Sequence, residues 1–141
     1  MAKKYAGFWI RFLASIIDSL ILGPLSFVLG FLIWASVLSS DNFIQILLYD
    51  LVGSLILIFI SLFYFSLLES SSLQGTIGKL AVGIKVIDLK GKRISFLRAV
   101  GRYLAKYLSI LIFFIGFIMI AFTKKKQGLH DLIAETIVIK K

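Results

Sequence analysis

An arginine and an aspartate interrupt the first long apolar run of the chain. From Phe8 to Leu38 nearly every residue is apolar or small, yet Arg11 and Asp18 lie within it. A run of 18 or more apolar residues reads as a membrane-spanning helix. A charge near the middle of such a helix costs on the order of 2.5–3.5 kcal/mol on insertion scales. Ionisable groups at that depth are rare and typically mark ion or proton pathways, or pair with one another. Arg11, Ser15 and Asp18 stand at i, i+4 and i+7 and so share a helix face. Two chemistries are open to Asp18. It can serve as a proton or cation site, or as a structural acid tied to Arg11, Arg98 or Arg102. Arg11 can snorkel to the interface and act as an anchor, or it can clamp a substrate.

Other ionisable residues are sparse. Asp50 falls about two turns into a second apolar run and Glu69 marks its exit, which extends the candidate proton or cation pathway to Asp18, Asp50 and Glu69. Arg98, Arg102 and Lys106 recur at i, i+4 and i+8, a basic stripe suited to anionic lipid or to a contact with Asp18. His130 reads as a lone histidine in a turn, and Asp131 as a cap or a partner for a basic residue such as Arg11. Three familiar chemistries fit badly. The absence of cysteine excludes disulfides and thiolate chemistry, and one histidine with seven acids offers no HExxH-type metal spacing. Gly75-Thr76-Ile77-Gly78-Lys79-Leu80 fails the GxxxxGK[ST] phosphate-loop pattern, with no hydroxyl after the lysine. Asp18 and Asp50 lie toward opposite sides of the bilayer, too far apart for an aspartyl dyad sharing a proton. No cofactor is expected, and no enzyme constellation emerges.

The elements that must position these residues follow from composition. Of 141 residues, 60% are hydrophobic, which describes one small integral membrane domain over 1–141. Span 1 covers about 8–38, twice the length of a signal-peptide core, and Pro24 should kink it. Span 2 covers about 43–69. The net charge is +9, and all 16 Lys and Arg fall in residues 3–11, 79–106 and 124–141, with none in the connection Ser39–Gln45. That asymmetry points to a multi-pass cell-membrane protein with its N-terminus, and also its C-terminus, in the cytoplasm. It argues for contact with anionic lipids and against nucleic acid.

Residues 73–95 change character. Ile84-Lys85-Val86-Ile87 reads as a strand, Lys90-Gly91 as a turn, and Arg93-Ile94-Ser95 as a return, giving a cytoplasmic β-hairpin. Ser95 caps an amphipathic interfacial helix that begins at Phe96 and runs to about 123. Its apolar part, Leu108–Phe122, is short for a span. A third crossing would also place the basic tail 124–141 outside. A re-entrant helical hairpin bending near Gly116 avoids both problems, with a third full span as the alternative. The tail then forms a turn and short helix over Gly128–Glu135. Thr136-Ile137-Val138-Ile139 follows as a strand that needs the one at Ile84–Ile87 as partner.

This pattern resembles the RDD family of small, mostly bacterial membrane proteins. The resemblance is carried by Arg11-Phe12-Leu13-Ala14-Ser15-Ile16-Ile17-Asp18, by Gly75-Thr76-Ile77-Gly78-Lys79 with Gly83-Ile84-Lys85-Val86-Ile87-Asp88, and by Gly128-Leu129-His130-Asp131-Leu132-Ile133-Ala134 with Thr136-Ile137-Val138-Ile139. The family takes its name from one Arg and two Asp. Arg11 and Asp18 match the first two; Asp131 is taken as the third, with Asp50 its competitor. The resemblance implies transport of small solutes or ions, cation/proton exchange among them. Three short membrane segments make a thin wall, so a working pore would need a homo-oligomer or a larger membrane complex. The alternative is a non-transporting accessory or regulatory subunit that binds another membrane protein or anionic lipid.

Overall fold

A computed structural model describes residues 4–112 and 115–141. Lys3, and positions 113 and 114 of the expected re-entrant segment, lie outside the described residues. Helix α1 (Phe8–Leu38) and helix α2 (Phe43–Ser70) form an antiparallel pair, with mean hydropathies of 2.2 and 2.5 over their most apolar windows. At 1.5 Å per residue α1 is about 45 Å long. Both helices are long and apolar enough to cross a membrane, and both turn large apolar side chains outward, Phe27, Phe31, Phe43 and Phe59 among them. Pro24 sits inside α1, which continues through it to Leu38. The turn into α2 is closed by Asn42, whose side chain accepts the Ile44 N–H at 2.9 Å.

Past α2 the chain builds a small polar cap. Helix α3 (Ile77–Ala81) starts at Thr76, and strand β1 (Ile84–Asp88) follows. The expected return strand at 93–95 is absent. Asp88 accepts the Lys92 N–H on its side chain at 2.7 Å and the Gly91 N–H on its carbonyl at 3.1 Å. Having turned, the chain does not retrace β1. Ile94 drops into the core and Ser95 caps helix α4 (Phe96–Leu111), accepting the Arg98 N–H. The partner of β1 is strand β2 (Thr136–Lys140), antiparallel, with Val86 opposite Val138 and Ile87 opposite Ile137. The other edge of β2 takes the N-terminal segment: Ala6 N–H donates to the Val138 carbonyl and Lys140 N–H to the Lys4 carbonyl, both at 2.9 Å. The two ends of the chain therefore meet in one sheet. Beneath it lies the core of Ala6, Ala14, Ile84, Val86, Ile94, Ala99 and Val138.

Between α4 and the tail, helix α5 (Ile115–Phe122) runs at 102° to α4. The bend falls just ahead of Gly116, and that glycine serves contact rather than curvature. A Cβ there would stand 2.3 Å from the Ser109 hydroxyl, so α5 folds down closely onto α4. Helix α6 (Leu129–Ile133) then leads into β2. The whole is a mostly helical protein with two spanning-length helices, a bent helix pair that is a possible third span, and a two-stranded antiparallel sheet.

Candidate functional site

Helix α1 buries a different stripe from the one its polar residues suggest. Ala14 and Asp18 are covered and Arg11 is half-covered, whereas Ser15 faces outward and returns its hydroxyl to the Phe12 carbonyl at 2.7 Å. Arg11 and Asp18 are also separated in their contacts. Two turns apart on one helix, they reach different partners and together found two distinct polar sites.

The first site is a neutral cradle around Asp18, which is 2% exposed. Its Oδ1 accepts the Tyr64 hydroxyl of α2 and the Gly78 N–H of α3, each at 2.8 Å. Its Oδ2 accepts the Thr76 hydroxyl at 2.6 Å. Thr76 does double duty, since its oxygen also receives the Lys79 N–H that starts α3. Gly78 is needed for the approach: a Cβ there would stand 2.1 Å from the Ala14 carbonyl oxygen and 2.8 Å from the Asp18 carboxyl carbon. Among the described residues no cation pairs with Asp18. The expected ties to Arg11, Arg98 or Arg102 are not formed, because those arginines are all engaged elsewhere.

The second site is a chain of buried ions. The Arg11 guanidinium pairs with Asp131 of α6, and its Nε and Nη2 also donate to the carbonyls of Ala6 and Lys126. Asp131 Oδ1 accepts Arg102 Nη2 at 2.7 Å and Nε at 2.9 Å. Arg102 Nη1 continues to Glu69 Oε2 at 2.7 Å, and the other Glu69 oxygen pairs with Lys79. Five elements (α1, α6, α4, α2 and α3) are joined through Arg11, Asp131, Arg102, Glu69 and Lys79. Each carboxylate contacts two cations. Burial alone would raise the Asp131 carboxyl, but Arg102 and Arg11 outweigh it and hold the group well below the usual carboxylate range. His130 is buried beside it, with Nε2 at 3.5 Å from Asp131 Oδ1, its ring 5.2 Å from that of Phe117, and Nδ1 without a hydrogen bond. Burial pushes this imidazole down to about 3, against the pull of Asp131.

These positions correct several expectations. Glu69, expected on a proton or cation pathway with Asp18 and Asp50, is buried and doubly paired, because Lys79 and Arg102 both fold back over the end of α2. The basic stripe does not form a lipid face. Arg102 is 2% exposed inside the ion chain, and Lys106 stands 4.3 Å over the Phe65 ring and 5.8 Å from Tyr103. Only Arg98 is open, paired with Glu135 at 3.4 Å. Helix α4 buries this side because that is where the acids of α2 and α6 converge. Asp50 is exposed on α2, fourteen residues and about 21 Å along the helix from Tyr64, and joins neither site. Tyr64, Thr76, Gly78 and Lys79 were not singled out as site residues. One signal was available: a carboxylate inside a span must find donors, and Gly75–Lys79 is the polar loop that follows span 2.

In chemical terms the ion chain is a clamp, since its carboxylates are compensated where they stand. The cradle differs. It holds a carboxylate with three neutral donors and, among the described residues, no ion pair.

A model of the RDD family matches residues 5–135. The chain is 43% identical to the uncharacterized protein YxaI of Bacillus subtilis (strain 168), covering 99% of each. It is 33% identical to the uncharacterized membrane protein YteJ of the same strain, covering 99% of this chain and 83% of YteJ. No solved structure matches significantly. With the match running through Arg11, Asp18 and Asp131 and across nearly the whole chain, the protein belongs to the RDD family of membrane proteins.

Proposed function

We propose that the protein is a small transport component of the cell membrane that exchanges protons or cations at Asp18. The observation that carries this reading is the neutral cradle: a buried carboxylate in a spanning-length helix, bound by Tyr64, Thr76 and Gly78, with no cation paired to it among the described residues. An uncompensated carboxylate in a low-dielectric setting is a strong attractor for a proton or a small cation. Arg11 acts at a distance. It fixes the α1 end against α6 and so holds Asp18 at the depth of α3.

In this reading the sheet end of the molecule, where both chain ends and most basic residues gather, faces the cytoplasm. The close return of α5 onto α4 and the pairing of residues 4–6 with β2 support two crossings plus a re-entrant segment. Two crossing helices do not enclose a path, so the working unit is a homo-oligomer, with the outward apolar faces of α1 and α2 supplying contacts.

The test is cation-driven proton flux in liposomes, with wild type and Asp18→Asn compared at equal folded protein. Flux in wild type that disappears in the folded Asn variant supports the reading. An absence of flux from folded wild type across several cations and pH values overturns it.

A further inference from the structure

Arg102 and Lys106 of the basic stripe on α4 turn inward, but a second place in the molecule has the chemistry of a lipid contact. A cleft of about 440 Å3 opens between the start of α1 and the end of α5, lined by Gly7, Phe8, Trp9, Ile118, Ala121 and Phe122, with Lys126 at its rim. Trp9 and Phe122 are among the most exposed aromatic residues described, at 76% and 82%. Lys124 and Lys125 are exposed beside Lys126, and Lys4 is exposed three residues before Gly7. No acid lines the cleft. Apolar walls with flanking aromatics and a basic rim are what the bilayer interface favours.

We propose that this cleft is a binding site for one anionic phospholipid. An acyl chain lies between Phe8 and Trp9 on one side and Ile118 and Phe122 on the other, and the phosphate sits on Lys124, Lys125 and Lys126. The occupant is chosen by charge complementarity, since an apolar cleft with Lys126 at its rim and the exposed Lys124 and Lys125 next to it in the chain matches a molecule with an apolar tail and a negative head. The rim is also built rather than loose. Lys126 holds a left-handed backbone (φ 51°), its ammonium donates to the Ala121 carbonyl at 2.8 Å, and its own carbonyl accepts Arg11 Nη2. A non-glycine residue fixed in that region is held there by its surroundings. The same contact links the lipid site to the buried ion chain: a headgroup on Lys126 bears on the loop that Arg11 grips.

The experiment is native mass spectrometry of the full-length protein in detergent, titrated with phosphatidylglycerol or phosphatidylcholine. Wild type should retain one phosphatidylglycerol per chain with at least tenfold preference. The Lys124→Gln/Lys125→Gln/Lys126→Gln variant should lose that preference and retain the two lipids about equally. Ala121→Trp, at an exposed position that opens into the cleft, should lower retention of both lipids. Thermal unfolding of each variant checks the fold, and the wild-type preference is decisive by itself if a variant fails to fold. Equal retention of the two lipids by wild type overturns the proposal. So does an Ala121→Trp variant that folds and retains phosphatidylglycerol unchanged. If Ala121→Trp instead reduces the oligomer to monomer without altering lipid retention, the cleft seats a second copy of the chain and the proposal fails.

Discussion

Asp18 and Asp131 are both buried carboxylates, and the protein treats them in opposite ways. Asp131 is met by two arginines, and its neighbour in the ion chain, Glu69, by an arginine and a lysine. Asp18 is met by two hydroxyls and one backbone N–H. The cost of removing a charge from water is offset in the first case by direct ion pairs and in the second by neutral donors, with Lys79 acting on Asp18 only from a distance. A carboxylate with two cations has no reason to take up a third partner. One with three neutral donors has no cation in direct contact among the described residues. The difference separates a carboxylate fixed between cations from one held by hydrogen bonds, and Arg11 and Asp18 bring the two environments within two turns of each other along α1.

Amide substitutions are the most direct way to break this comparison. Asp131→Asn leaves Arg11 and Arg102 facing a neutral group, and Glu69→Gln does the same to Arg102 and Lys79. Breaking a buried pair from one side typically costs about 3–5 kcal/mol. Asp18→Asn should cost no more than about 1 kcal/mol. The Asn oxygen can still accept from Tyr64 and Gly78, and its amide can donate to the Thr76 oxygen. Thermal or chemical unfolding in detergent would show two strongly destabilised variants and one close to wild type. Equal losses at all three positions would make Asp18 another structural acid.

Next in size is Gly78→Ala. The added Cβ would press against the Ala14 carbonyl, which belongs to helix backbone and has little room to yield. Overpacking of this kind costs about 1–3 kcal/mol. It should separate α3 from α1, weakening the cradle while leaving the ion pairs of Arg11 and Arg102 with Asp131 in place. Gly23 and Gly30, where a Cβ meets open space, serve as controls in which alanine is neutral or slightly stabilising. A Gly78→Ala variant as stable as these controls would show that the cradle is not closely packed.

Much of this arrangement was legible in the sequence, for identifiable reasons. The two long helices follow from apolar runs that no soluble fold tolerates. The β1–β2 pairing follows from two β-branched stretches with no other mate of equal quality. The contact between Asp131 and Arg11 was expected in kind, because a tail acid near the basic end of α1 has few other partners. The partners of Asp18 were not legible. A search for its counter-charge looked to arginines, whereas the solution uses a tyrosine fourteen residues beyond Asp50 and a loop whose glycine matters for the atoms it lacks. The stripe Arg98, Arg102 and Lys106 was legible as a stripe but not as to direction. Helical spacing gives a face, and only the position of Glu69 and Asp131 decides that this face turns inward. The N-terminal residues 4–6 on the free edge of β2 were not legible, because they carry no strand pattern of their own and pair with β2 only through backbone groups.

The smallest effect comes from His130, which tests whether the ion chain is shielded as its geometry indicates. The imidazole is buried against Asp131, with Arg102, Lys106 and Arg11 also acting on it, and is pushed down to about 3 from an ordinary value of about 6.5. In the folded protein it is neutral where the unfolded chain would bind a proton. Its contribution is therefore fully present above pH 6.5 and is lost as pH falls from about 6.5 toward 3. Asp131 acts lower. Its depressed carboxyl contributes above the unfolded value near 3.8 and fails only in stronger acid, so the window from pH 6.5 to 4.5 reports on His130. Stability should fall there by about 1 kcal/mol per pH unit, and His130→Gln should flatten the slope. If the slope survives the substitution, the acid sensitivity lies elsewhere. If wild type shows none, solvent reaches His130, and the joint around Asp131 is as open as the cradle around Asp18 is proposed to be.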